Sequence, residues 1–207
     1  MNLFSRHLKG LFDFSGRENR QPFWLWVLIC YGFQTALGIV VAMPLMMGYF
    51  DAMGPIMQRD PTYLNTHPEE VQRAITQAMM PMMQGIMAMA AIMTLIFVTL
   101  LAAAIVRRLH DGDRSGWWAA PVLAVHLITP ILTVAIIPRF FSLFGSIKPD
   151  TPPEQVQAQM APLMQSFFAV WGFGMLGFVM MIVLVIFLCL PGTVGPNRYG
   201  RDPMFDF

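Results

Sequence analysis

Charge is the scarcest thing in this sequence. Asp, Glu, Lys and Arg make up only 12% of its 207 residues, about half the share of an ordinary soluble domain. That shortage excludes a disordered or solvated polyelectrolyte chain. Two cysteines, Cys30 and Cys189, exclude a disulfide scaffold, and a net charge of +1 provides no field suited to nucleic acid. What fills the space is apolar: 56% of the residues are hydrophobic, and 19 are methionine.

The charges are also unevenly placed. Gln21 to Phe50, Ala74 to Val106, Ser115 to Pro138 and Gln155 to Asn197 contain no Asp, Glu, Lys or Arg. A bilayer core of about 30 Å needs about 20 helical residues, so each window holds one span. The spans are expected near Phe23 to Gly48, Met83 to Val106, Trp117 to Ile137 and Phe167 to Leu190. The fourth window is long enough for two, but its polar start at Gln155 to Gln165 and its turn-rich end at Pro191 to Asn197 leave one. The first apolar run is too long for a signal-peptide core and is expected to stay as a membrane helix.

Basic residues number four in the N-terminal tail, three in the middle loop and two in the C-terminal tail, against two in each outer loop. The positive-inside rule then predicts that both tails and the middle loop are cytoplasmic. Trp24, Trp26, Trp117 and Trp118 are expected at that interface. The sequence thus reads as an all-α, polytopic plasma-membrane protein with four transmembrane helices in two hairpins and helical extracytoplasmic extensions. Residues 1–22 form an amphipathic N-terminal segment and 23–190 the membrane domain, with outer loops at 49–82 and 138–166 and an inner loop at 107–116. Residues 191–207 form the tail.

In the first segment, Leu3, Phe4, Leu8, Leu11 and Phe12 recur at helical spacing, with His7 expected on the polar face between them. The outer loops resemble each other. Thr66-His67-Pro68-Glu69 and Thr151-Pro152-Pro153-Glu154 both read as a capping Thr, an early Pro and a Glu that closes a capping box, so each predicts a helix start. Those helices are expected to kink near Pro81 and Pro162.

Three polar stretches carry the candidate chemistry: Gly16-Arg17-Glu18-Asn19-Arg20-Gln21-Pro22-Phe23-Trp24, Arg107-Arg108-Leu109-His110-Asp111-Gly112-Asp113-Arg114-Ser115-Gly116-Trp117-Trp118, and the run from Pro191 to Pro203. At Gly16, Arg17, Arg20, Phe23 and Trp24, at Arg107 to Asp111 with Arg114 to Trp118, and at Pro191, Gly192, Gly195, Asn197, Tyr199, Gly200, Asp202 and Pro203, the chain resembles the bacterial inner-membrane family catalogued as domain of unknown function 805. The resemblance implies an integral inner-membrane protein and supplies no activity. The methionine-rich outer loops look like additions to that pattern.

Arg17, Arg20, Arg107, Arg108 and Arg114 place guanidinium donors just inside the membrane, with His110, Asp111, Ser115, Asn197 and Tyr199 beside them. Such a set suits bidentate binding of a phosphate or carboxylate, from an anionic lipid headgroup, a solute or a partner. The other reading is that Asp111, Asp113 and Asp202 pair with these arginines and staple the segments together. Gly112, Gly116, Gly192 and Gly195 read as turn formers, with no Walker spacing. A lone His110-Asp111 pair is thin support for a lipid-modifying enzyme. His126 and Gln34 are polar groups inside spans, suited to an interhelical hydrogen bond with each other or with Thr129 or Thr133, or to a transport path. Twelve methionines gather at the outer end of the first hairpin, and Met79, Met80, Met82 and Met83 are a weak alternative Cu(I) site. The two cysteines are expected as free thiols. No cofactor is expected, and homo-oligomerisation is compatible with so small a bundle.

Overall fold

A computed structural model describes residues 3–147 and 151–203, and it is helical with no β-strand among the described residues. The elements are α1 (Leu3–Lys9), α2 (Arg20–Met57), α3 (Pro61–Thr66), α4 (Pro68–Asp111), a 3₁₀ turn (Gly116–Trp118), α5 (Ala120–Ser146) and α6 (Pro153–Cys189). Four helices are long and apolar enough to cross a membrane, and they match the four expected spans, α5 starting three residues later than expected and α6 ending one residue earlier. Three overrun them. α2, α4 and α6 reach 38, 44 and 37 residues because polar turns outside the apolar stretch continue the helix.

Proline shapes the starts. Pro61, Pro68 and Pro153 each occupy a first helical position, where the missing N–H had no helical partner. Pro81 and Pro162 lie inside continuous helices. The expected cap at Thr66 is not formed: its hydroxyl donates back to Thr62 O and Tyr63 O, 2.8 and 3.3 Å away, finishing α3. His67 O, accepting from Val71 N at 3.1 Å, begins α4 instead. α3 itself was not foreseen; Asp60 caps it through a 2.9 Å bond from Thr62 N.

The described residues divide into two compact units. One gathers those of Met1–Ala36, Ile92–Thr129 and Phe173–Phe207; the other comprises Leu37–Ala91 and Pro130–Gly172. The first holds the core. Phe23, Trp26 and Cys30 of α2, at i, i+3 and i+7, pack with Leu101, Ala104, Ile105 and Leu109 of α4, Ala119 at the end of the 3₁₀ turn, Val122 of α5, and Leu184 and Leu188 of α6. Trp26, expected at the interface, is 2% exposed, and its indole N–H donates to Leu100 O at 3.0 Å. Trp117 and Trp118 are the exposed tryptophans of the expected set.

Gly177 of α6 lies against Val125 of α5 so closely that an added Cβ would sit 2.3 Å from Val125 Cγ1. Gly172 and Gly174 make no such approach. Gly177→Ala should therefore destabilise the protein by about 1–3 kcal/mol through overpacking. Adding Val125→Ala should restore most of the lost melting midpoint; no recovery in the double variant would show that this contact is not what holds the two helices.

The second unit contains Ala78 and Met87 as buried residues and a cavity of about 240 Å³ lined by Gln72, Ile75, Thr76, Met79, Phe140 and Phe141. Among the described residues no group of three or more His, Cys, Asp or Glu is arranged to hold a metal ion. Met79, Met82 and Met83 share one face of α4, with Met80 turned about 100° from Met79.

Candidate functional site

The three polar stretches meet at one end of the first unit, around two buried carboxylates. Asp111, the last residue of α4, is the first hub. Its Oδ1 accepts from Arg17 Nε and Nη2 at 3.1 and 2.9 Å, and its Oδ2 accepts from Arg108 Nη1. Its backbone carbonyl accepts from Thr193 N at 2.9 Å and Thr193 Oγ1 at 3.1 Å. Arg17 reaches on to Gly195 O and Thr193 O, each at 2.6 Å. Arg108 donates to Leu188 O at 3.0 Å and to Leu190 O, carbonyls at the C-terminal end of α6 that need donors. One aspartate thereby joins the segment before α2, the end of α4 and the chain after α6.

Glu18 is the second hub, 1% exposed. Its Oε2 accepts from Arg107 Nε at 3.0 Å, its Oε1 meets His7 Nε2, and its N–H donates to Arg107 O at 3.1 Å. Arg107 Nη1 also donates to Gly10 O and Asp13 O, at 2.8 and 2.6 Å. His7 Nδ1 faces Leu3 O at 3.0 Å and must be the donor there, while the ring stacks on Trp26 at 4.7 Å. His7 is therefore buried at the root of α1, not on its polar face. Nearby, Ser15 donates through N–H and hydroxyl to the Asp13 carboxylate, which holds its pKa below the usual carboxylate range, with Arg107 assisting.

α4 ends in a Schellman turn. Arg114 N bonds Leu109 O at 2.9 Å, Asp113 N bonds His110 O at 3.0 Å, and Asp113 takes the left-handed conformation at φ 53°. Arg198 pairs with Asp113 at 3.1 Å on the surface. Arg114 lies over the Phe187 ring at 4.7 Å and donates to Gly112 O at 3.2 Å. Ser115 caps the 3₁₀ turn by accepting from Trp117 N at 3.4 Å. His110 stacks on Tyr199 at 3.8 Å and donates from Nδ1 to Gly16 O at 3.2 Å. Asn197 Nδ2 donates to His110 O and Thr193 Oγ1, both at 2.9 Å.

Arg17, Arg107 and Arg108 therefore do not stand as a ring of open donors; carboxylates and carbonyls occupy them. Arg20 differs. At the first position of α2 it is exposed, and among the described residues its guanidinium makes no hydrogen bond or ion pair. It edges a cavity of about 300 Å³ lined also by Arg17, Asn19, Asp111, Thr193, Val194 and Asp202. Glu18 and His7 were missed as site residues. The available signal was that Glu18 is the sole acidic residue between Asp13 and Asp51, directly before a charge-free span.

Within the spans, the hydrogen bond of His126 is intrahelical: Nδ1 donates to Val122 O at 2.9 Å. Gln34 sits among Cys30, Phe33, Met93, Ile96, Phe97 and Leu100, which leave no water-sized cavity around it. Both cysteines are free thiols, Cys30 buried and Cys189 exposed.

Residues 11–201 match the model of the family described as "Protein of unknown function (DUF805)". The chain is 22% identical over 206 residues to inner membrane protein YhaH of Escherichia coli (strain K12), covering 100% of this chain and 99% of that relative. It is 24% identical over 198 residues to inner membrane protein YhaI of the same organism, covering 96% and 92%. No solved structure gives a significant match. The methionine-rich outer segments lie inside the matched range. Spans, polar segments and matched length agree: the chain belongs to the DUF805 family and is an integral inner-membrane protein.

Proposed function

We propose that this membrane protein binds an anionic ligand in the cavity edged by Arg20, on the face formed by its two tails and middle loop, and that this face is cytoplasmic. The observation that carries the reading is the contrast between Arg20 and its neighbours. Arg17 and Arg108 are held by Asp111, whereas Arg20 stands at a cavity with its donors open. Three guanidiniums, Arg17, Arg20 and Arg108, against two carboxylates, Asp111 and Asp202, leave the neighbourhood electropositive. The basic bias of the tails and middle loop supports the orientation.

Native mass spectrometry of the detergent-purified protein tests this. The wild type is expected to retain an anionic adduct that Arg20→Ala weakens about tenfold or more, roughly 1.4 kcal/mol. Equal retention by both proteins would remove the reading.

A further inference from the structure

We infer that the occupant of the Arg20 cavity is a phospholipid with a monoanionic phosphodiester headgroup that carries no cation of its own. Its acyl chains run along the exposed face of α2. The inference rests on the anion-binding reading above and narrows it to one chemistry and one source.

The charge comes from the count around the cavity. Three guanidiniums, Arg17, Arg20 and Arg108, stand against two carboxylates, Asp111 and Asp202, an excess of one positive charge, and among the described residues Arg20 is the guanidinium of the three with no ion-pair partner. One positive charge matches one phosphodiester. A planar guanidinium also offers two parallel N–H donors to its two free oxygens. A zwitterionic headgroup would bring a cation beside Arg20, with Arg108 already within electrostatic reach.

The source comes from what lies below Arg20 on the helix. Trp24, Leu28 and Tyr31 follow it at i+4, i+8 and i+11 and share its face. Leu28 and Tyr31 are 65% and 62% exposed, and the strip leads directly into the first span. Arg20, which edges the cavity, is thus followed on its own helix face by an exposed apolar strip that acyl chains could cover. Pro191, Val194 and Pro203 add apolar side chains to the cavity lining. Basic pockets beside spanning helices are suited to headgroup recognition in this way.

The test uses the full chain in dodecyl maltoside micelles, with binding read by native mass spectrometry against added phosphatidylglycerol, phosphatidylcholine, cardiolipin or deacylated glycerophosphoglycerol. Phosphatidylglycerol is expected to bind at least tenfold more tightly than phosphatidylcholine, and Arg20→Ala to erase that preference. The deacylated headgroup should bind at least a hundredfold more weakly than the intact lipid, and cardiolipin no more than a few-fold more tightly. Arg20→Ala should keep the wild-type melting midpoint, which confirms that it is folded. If the deacylated headgroup bound as tightly as the lipid and still depended on Arg20, the lipid inference would fall while anion binding stood. A tenfold preference for cardiolipin would overturn the monoanionic match, and equal binding of phosphatidylcholine would overturn charge recognition. Binding of every probe without dependence on Arg20 would overturn both readings.

Discussion

Asp111→Ala should lower stability by about 3–5 kcal/mol, the loss expected when a buried carboxylate is removed from partners that stay charged. Two guanidiniums, Arg17 and Arg108, would lose the buried carboxylate they share at once. At about 2–4 °C per kcal/mol for a chain of this size, the melting midpoint should fall by roughly 6–20 °C. Asp111→Asn should cost less, because its carbonyl still accepts from Arg17 and because both arginines keep their bonds to backbone carbonyls. Thermal melts of the two variants in detergent check this. A midpoint for Asp111→Ala within about 2 °C of wild type would mean that the buried network does not hold the three segments together.

Gly192→Ala should disrupt the same junction by collision. An added Cβ would sit 2.1 Å from Asp111 Oδ2 and 2.6 Å from its Cγ, so either the carboxylate leaves Arg108 or the chain after α6 moves away. In the second case Thr193 N would leave Asp111 O, and the carbonyls of Thr193 and Gly195 would leave Arg17. The expected loss is at least the ~1–3 kcal/mol typical of overpacking. Gly195→Ala is the control. Gly195 sits at φ 81° with open space around it, so alanine there meets strain of about 1–2 kcal/mol and no collision. Limited proteolysis of residues 191–203 should therefore accelerate much more in Gly192→Ala than in Gly195→Ala. Equal cleavage rates would remove the close approach as the reason glycine stands at 192.

The spans were legible because their cause is local. A stretch from Gln21 to Phe50 without one charge has few places to go but a bilayer, and Pro68 and Pro153 mark helix starts by what they lack. The early starts of α4 and α6 were legible for the same reason, whereas the length of α2 was not, since nothing in the polar turns beyond its span signals a stop before Gln58. Thr66 shows how local capping chemistry misleads: the same hydroxyl can start the next helix or finish the last, and α3 decides which.

The site was half legible. Arginine and aspartate in three separated motifs announced a polar face, but pairing is a matter of tertiary distance. Arg17 meets Asp111 across 94 positions and Arg107 meets Glu18 across 89. Adjacent Arg107 and Arg108 serve different carboxylates, a split that residue type does not reveal. His7 was misplaced for a related reason. Its neighbours Arg6 and Lys9 are exposed, and only the stacking on Trp26 and the contact with Glu18 turn one polar residue of α1 inward.

The central claim is a division of labour: Arg17, Arg107 and Arg108 hold the face together, and Arg20 binds. The melting midpoint of Arg20→Ala, taken with and without added phosphatidylglycerol, tests it most directly. Without lipid the variant should melt within about 2 °C of wild type, as for an exposed side chain with no partner. With lipid the wild-type midpoint should rise, because a ligand that binds only the folded state stabilises it, and the variant's should not. A bare midpoint as low as that of Asp111→Ala, or an equal lipid-induced rise in both proteins, would contradict the account.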